Sequence, residues 1–177
     1  MFKGERSEYQ FQWKDLGDIQ EGRPNLGGQT SVAVYRLMQY TMRDVLITKY
    51  DVEQANEILI RAGKLAGTEF CKNMLDTDLE FGEFVASLQD KLKTLGIGIL
   101  RIEEADMDKM QFILTVSEDL DCSGLPMTGE TVCEYDEGFI AGILETYTKR
   151  KFTVKEIDCW ATGDRTCRFS ARLQESE

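Results

Sequence analysis

The chain has 177 residues, with 21 Lys+Arg against 32 Asp+Glu and no His, for a formal net charge of −11. The length suits one domain with a proper core, and 42% hydrophobic with 10% aromatic residues is too apolar for a disordered chain. The lack of His excludes a Ser-His-Asp triad, a Cys-His pair, a His-ligated haem and a two-His zinc motif, and an acidic chain with no basic stripe suits no phosphate backbone.

Residues 1–30 read as an N-terminal arm. Phe2, Tyr9, Phe11 and Trp13 offer aromatic surface to bury against the body or another subunit, with a frayed terminus as the alternative. The start has no signal-peptide pattern, and no apolar run reaches bilayer length. Pro24 with Gly22, Gly27 and Gly28 marks a turn region. Thr30 or Ser31 can cap a helix in which Val34, Leu37, Met38, Met42, Val45 and Leu46 recur at three-to-four spacing. Asp51 can cap the next, whose stripe is Val52, Ala55, Ile58, Leu59, Ala62, Leu65, Ala66 and Phe70. Gly63 and Gly67 lie inside it. Each costs about 1 kcal/mol against Ala in a helix, so a smooth face is needed there, most simply for close helix packing.

A third helix at about 78–95 puts Phe81, Phe84, Val85, Leu88 and Leu92 on one side and stops at Leu95-Gly96-Ile97-Gly98. Strands at 97–103 and 110–117 follow, joined by an acidic turn at 104–108, and then a loop at 118–131. A helix at 133–148 carries Phe139, Ile140, Ile143, Leu144 and Tyr147, with Gly138 and Gly142 as a second small-residue face. Glu134, Asp136 and Glu137 fall in its first turn, where negative charge favours the dipole. Strands at 152–160 and 165–172 make a hairpin, with Cys167, Phe169, Ala171 and Leu173 on one face. This order predicts one α+β domain, helices packed on a four-stranded antiparallel sheet.

Five cysteines without a secretion signal point to a reducing cytoplasm, where they are thiols or metal ligands. Cys133 opens a helix, Cys159 ends a strand and Cys167 follows the turn. The hairpin brings the last two together, and a helix start packed on it adds Cys133. Three soft ligands suit tetrahedral zinc, and Glu156 is close enough in the chain to be the fourth. Glu156 and Cys159 differ by three, so a regular strand points them to opposite faces; a bulge near 157–159 reconciles them. The other reading is three buried cysteines acting as small hydrophobes.

The run Cys133-Glu-Tyr-Asp-Glu-Gly138-Phe139-Ile-Ala-Gly142, followed by Glu156-Ile-Asp-Cys159-Trp-Ala-Thr-Gly163-Asp164-Arg-Thr-Cys167-Arg-Phe169, resembles the 4-vinyl reductase domain family. The resemblance is strongest over 118–172. Tyr35-Arg36 and Ala62-Gly63-x-x-Ala66-Gly67 extend it more loosely toward the N-terminus. It implies a TRAPP- and NO-signalling-like ligand-binding fold, a single domain at 31–177 and a zinc-binding part at 118–172. It also implies a structural zinc held by Cys133, Glu156, Cys159 and Cys167, with Cys122 in the nearby loop as a substitute ligand and Cys71 in the core. A pocket between helices and sheet is implied as well, with Phe84, Leu88, Phe112, Phe139, Ile143, Tyr147 and Trp160 as candidate ligand contacts. The phenol sensors of this family orient the ligand hydroxyl with a His and a Trp. The candidate positions here are the apolar Phe84 and Phe112, so recognition leans on apolar contact, with Tyr147 or Trp160 as the polar tip. For each aromatic, plain core packing is the alternative.

The expected function is a sensory or regulatory domain that binds a hydrophobic or aromatic small molecule. It would be a cytoplasmic homodimer that is not an enzyme and contacts neither nucleic acid nor membrane. A separate signalling protein would read it, since the chain carries no output domain. The alternatives are a tetrapyrrole-handling carrier, and an interaction scaffold without ligand that dimerises through Gly63, Gly67 and the arm. No Gly-x-Gly-x-x-Gly follows a strand, so the family's reductase label has no nicotinamide or flavin fingerprint behind it.

Overall fold

The computed structural model describes residues 11–174. Phe2 and Tyr9 of the aromatic arm lie outside them. After a 3-10 turn at Trp13–Leu16 come the short helix α1 (Ile19–Gly22) and three longer helices, α2 (Val32–Lys49), α3 (Val52–Met74) and α4 (Phe81–Thr94). Then follow β1 (Ile99–Asp106), β2 (Gln111–Ser117), α5 (Glu134–Thr148), β3 (Phe152–Asp158) and β4 (Cys167–Leu173). The strands form one antiparallel sheet in the order β1-β2-β4-β3, the α+β architecture that the pattern predicts.

The predicted caps are in place. Ser31 Oγ accepts from the Ala33 N–H, and Asp51 Oδ1 accepts from the Gln54 N–H at 2.7 Å. Helix α4 starts later than expected because Asp78 is held in a turn, its N–H donating to Asp76 Oδ1 at 2.9 Å. Strand β1 runs through the residues expected to turn. Ala105 and Asp106 pair with Phe112 and Gln111, and Asp106 Oδ1 closes a shorter turn by accepting from the Lys109 N–H at 2.9 Å.

The core face of the sheet meets α4 and α5, where Phe84, Phe112 and Phe169 are fully buried. Trp13 packs against this core, and its N–H donates to Glu69 Oε2 at 3.1 Å, so the described end of the arm docks on α3. Helix α5 lies between the sheet and α3. Its contact with α3 is backbone on backbone. A Cβ on Gly63 or Gly67 would overlap the carbonyls of Tyr135 and Phe139, and one on Gly138 or Gly142 those of Ile60 and Lys64. Close packing within the chain accounts for both small-residue faces. The scaffold reading placed Gly63 and Gly67 at a dimer interface; both are buried against α5 instead.

Helix α2 has the expected period and the opposite orientation. Its apolar stripe faces outward, with Leu37 67% and Val45 61% exposed and Val34, Met38 and Met42 alongside. Tyr35, Arg36, Gln39, Tyr40 and Arg43 face the body and bond to it. Among the described residues, no helix is long and apolar enough to cross a membrane.

The glycine contact makes a direct prediction. In urea melts, Gly138→Ala should lose about 3 kcal/mol or more, because carbonyls cannot move aside for the methyl. Gly82→Ala, at a helical position open to solvent, should gain about 0.5–1 kcal/mol through the unfolded state.

Candidate metal site and ligand pocket

Four of the five cysteines converge. Cys122 comes from the loop after β2, Cys133 from the N-cap of α5, Cys159 from the end of β3 and Cys167 from the start of β4. All are buried, and their Sγ atoms lie within 4.8 Å of one another. Cys133 Sγ is 3.9 Å from Cys159 and 3.8 Å from Cys167, and Cys122 is 2.9 Å from Cys167. None is in a disulfide. A tetrahedral zinc with four sulfurs has edges of about 3.8 Å, so two of these separations fit such an ion without rearrangement. Packed this closely, the neighbouring thiols hold Cys133 and Cys167 far above the ordinary thiol range. Cys159, which the same three neighbours favour as thiolate, is drawn down. A cation removes that mutual opposition. The four cysteines can hold a metal ion.

The expected bulge is present. The β3–β4 register shifts between Glu156 and Asp158, so Glu156 and Cys159 both turn inward while Ile157 points out. Yet Glu156 is not in the four-thiol set. Its Oε2 accepts the Cys133 N–H at 3.2 Å and its Oε1 is buried with no partner. Burial pushes its pKa up to about 8. Of the residues that the sequence assigned to zinc, the three cysteines meet with Cys122, and Glu156 steadies the backbone that carries Cys133. Glu137, from the same first turn of α5, accepts the Glu156 N–H at 2.9 Å. Cys71 stands apart in the core, where burial pushes its thiol to about 11.

The loop that supplies Cys122 is held from two sides. Asp119 Oδ1 accepts the N–H groups of Asp121 and Cys122 at 2.8 and 3.1 Å. From α2, Arg36 donates to the carbonyls of Leu120, Asp119 and Ser123 at 2.7, 3.2 and 2.9 Å. The Tyr35 hydroxyl donates to Asp121 Oδ1 at 2.8 Å and the Tyr40 hydroxyl to the Asp121 carbonyl at 3.0 Å; burial pushes both phenols up. Arg43 reaches past the loop to make a two-pronged bond to the buried Glu134 at 2.7 and 3.1 Å.

Beside the thiols, α4, α5 and the sheet enclose a cavity of about 60 Å³. Phe84, Leu88, Phe112, Phe139 and Ile143, five of the predicted contacts, line it. Tyr147 and Trp160 do not, and their polar ends are spent on backbone. The Tyr147 ring stacks on Phe84 at 4.0 Å and its hydroxyl donates to the Leu79 carbonyl at 3.0 Å. Trp160 Nε1 donates to the Leu125 carbonyl at 3.1 Å. The polar side chains that reach the cavity are Asp119 and Asp136. Asp136 was expected on a solvated first turn, but α5 is enclosed there and its Oδ2 is buried without a partner. Burial drives Asp136 well above the usual carboxylate range. Burial and the neighbouring Asp121 raise Asp119 to about 7. The overlooked signal is spacing: Asp136, Ile140 and Ile143 fall at i, i+4 and i+7 on one helix face.

Residues 112–173 match the family model of the 4-vinyl reductase domain, and the resemblance read from the sequence holds there. An uncharacterized protein of Methanocaldococcus jannaschii is 27% identical over 165 residues, 92% of this chain and 88% of the relative. A vinyl-4-reductase family protein from the same genus and species superposes with a TM-score of 0.61 at 18% identity, over 95% of this chain and 100% of that one. The phenol-responsive sensory domain of the transcription activator PoxR, crystallised with phenol, gives 0.61 at 14% identity, over 81% and 75%. A trafficking protein particle complex subunit 3 from Naegleria fowleri, covalently bound to palmitic acid, gives 0.64 at 16%, over 81% and 95%. These structures share the fold.

The fourth ligand is testable by cobalt(II) titration, which reads sulfur ligation through its charge-transfer bands. Glu156→Gln should keep the wild-type spectrum and stoichiometry. Cys122→Ser should lose sulfur-to-cobalt intensity and about tenfold or more in affinity.

Proposed function

We propose that this chain, whose residues 112–173 match the 4-vinyl reductase domain, is a sensory domain that binds an apolar or aromatic small molecule and is braced by a structural zinc. The observation that carries this reading is the cavity between α4, α5 and the sheet, walled almost wholly by hydrocarbon. Two proteins of the same fold support it, one crystallised with phenol and one covalently bound to palmitic acid. At about 60 Å³ the cavity is smaller than the roughly 150 Å³ of an engineered benzene site. A one-ring guest therefore enters as the half-buried side chains of Phe139 and Ile140 give way. A tetrapyrrole demands far more room, so the carrier reading is the weaker one.

Zinc is the ion that the donor set favours: soft thiolates, tetrahedral separations, no redox demand. Cys122, Cys133, Cys159 and Cys167 would hold it, tying the start of α5 to the hairpin and to the 119–123 loop. Four protein ligands leave no open position for water, which supports a structural and not a catalytic role. Five buried free thiols suit a reducing, cytoplasmic setting. The outward apolar stripe of α2 supports a homodimer built on that helix. Because α2 also grips the loop between pocket and thiols, a ligand that shifts this loop alters the dimer, which a separate signalling protein can read.

Two measurements check these readings. Ile143→Trp, which fills the cavity, should abolish the thermal shift that one-ring aromatics give to the wild type and leave the metal content unchanged. Leu37→Glu should convert a dimer into a monomer in light scattering, with the far-UV circular dichroism unchanged. A wild-type monomer at micromolar concentration would refute the dimer.

A further inference from the structure

We propose that Asp136, with Asp119 beside it, reads the polar end of the guest. The ligand is then an apolar molecule whose one polar end donates hydrogen bonds, a hydroxyl or an amine, and not one that ends in a carboxylate or phosphate. This rests on the cavity being the ligand site, and it deepens that reading by naming the chemistry.

The cavity has one polar corner. Every other lining residue is Phe, Val, Leu or Ile, and the corner holds the carboxyls of Asp119 and Asp136 with no basic side chain, amide or hydroxyl among the lining. Buried polar atoms in folded proteins almost always have a partner. Asp136 Oδ2 is buried and has none. An atom in that position, facing an apolar cavity, lacks a donor that the described residues do not supply. A guest can supply it.

The second carboxyl is fixed in place. Asp119 Oδ1 takes two backbone N–H groups of its own turn, which locks the side chain against the corner. A donor entering the cavity therefore meets a preset acceptor pair.

Charge decides against an anionic guest. The nearby cations are committed: Arg36 to the carbonyls of Leu120, Asp119 and Ser123, and Arg43 to Glu134. Glu137 and Glu156 lie on the elements that flank the corner, both acidic and both buried. A carboxylate end would sit against these groups with no cation to offset it. An amine or hydroxyl end satisfies the orphaned oxygen directly.

A competing use of the corner exists. Asp119 and Asp136 also lie within 4.8 Å of Cys133 Sγ, so the three could hold a second cation. Cys133 already belongs to the four-thiol set, which leaves the carboxyls to the cavity side.

The test uses four probes with one ring and different ends: benzylamine, benzyl alcohol, toluene and benzoate. Affinities come from calorimetry on the zinc-loaded full chain, and zinc content is measured in parallel. The amine and the alcohol should bind at least about tenfold tighter than toluene, the effect of a charge-assisted buried hydrogen bond, and benzoate should not bind. In Asp136→Leu that advantage should fall to near parity, with toluene affinity kept or improved. Asp136→Asn, which keeps the side-chain shape, should lose the preference for the amine and serves if the Leu variant does not fold. Should neither variant fold, the wild-type ranking decides by itself. Equal affinity for amine, alcohol and toluene, tighter binding of benzoate, or an advantage undiminished in a folded variant would overturn this inference and leave the pocket standing. A second metal equivalent that disappears in Asp136→Leu would overturn it too, assigning the corner to a cation. Absence of binding by all four probes would overturn the pocket reading and this inference with it.

Discussion

Helix α5 can be enclosed on both sides only because it meets α3 without side chains between them. Gly138 and Gly142 sit on the carbonyls of α3, and Gly63 and Gly67 on those of α5. That approach sets the depth of α5, and the depth determines much else. It delivers Cys133, at the helix start, to the thiol cluster. It turns Phe139, Ile140 and Ile143 toward the cavity and draws Asp136 inside with them. Four residues with no side chain thus position both candidate sites.

The two sites share a wall. Asp119 lines the cavity, and three residues later Cys122 joins the thiols, so one short loop belongs to both. Its shape is maintained from outside by α2, whose Arg36 takes three of its carbonyls. These bonds are partly shielded from water, where hydrogen bonds to charged groups contribute most. The polar side of α2 is consumed in this way, and the apolar side is left facing out.

Much of this could be read in the sequence, for identifiable reasons. Caps at Ser31 and Asp51, the alternation of β4 and the hairpin pairing of Cys159 with Cys167 are local properties of the chain. Even the β3 bulge follows from asking Glu156 and Cys159 to face one way. What period cannot supply is the identity of the partner. The stripe of α2 marks a helix equally well whether it faces the core or the solvent. The polar tips of Tyr147 and Trp160 looked available because nothing in the sequence places the Leu79 and Leu125 carbonyls that take them. Cys122 was readable only as an alternative ligand, because it sits in an irregular loop, where spacing has no meaning for direction. Asp136 was hidden by a sound local argument: acid at a helix N-terminus normally means solvent and dipole, and tertiary enclosure overrode it.

The bulges bear on more than ligand geometry. In the order β1-β2-β4-β3, the outer strands are β1 and β3, and each carries a register break, between Ile102 and Glu104 and between Glu156 and Asp158. A broken outer ladder cannot template a long, continuous run of added strand, which is how natural sheets avoid edge-to-edge growth and amyloid-like stacking. The device that turns Glu156 inward therefore also protects the rim of the sheet. It leaves the helical side of the molecule as the surface on which copies can meet without polymerising.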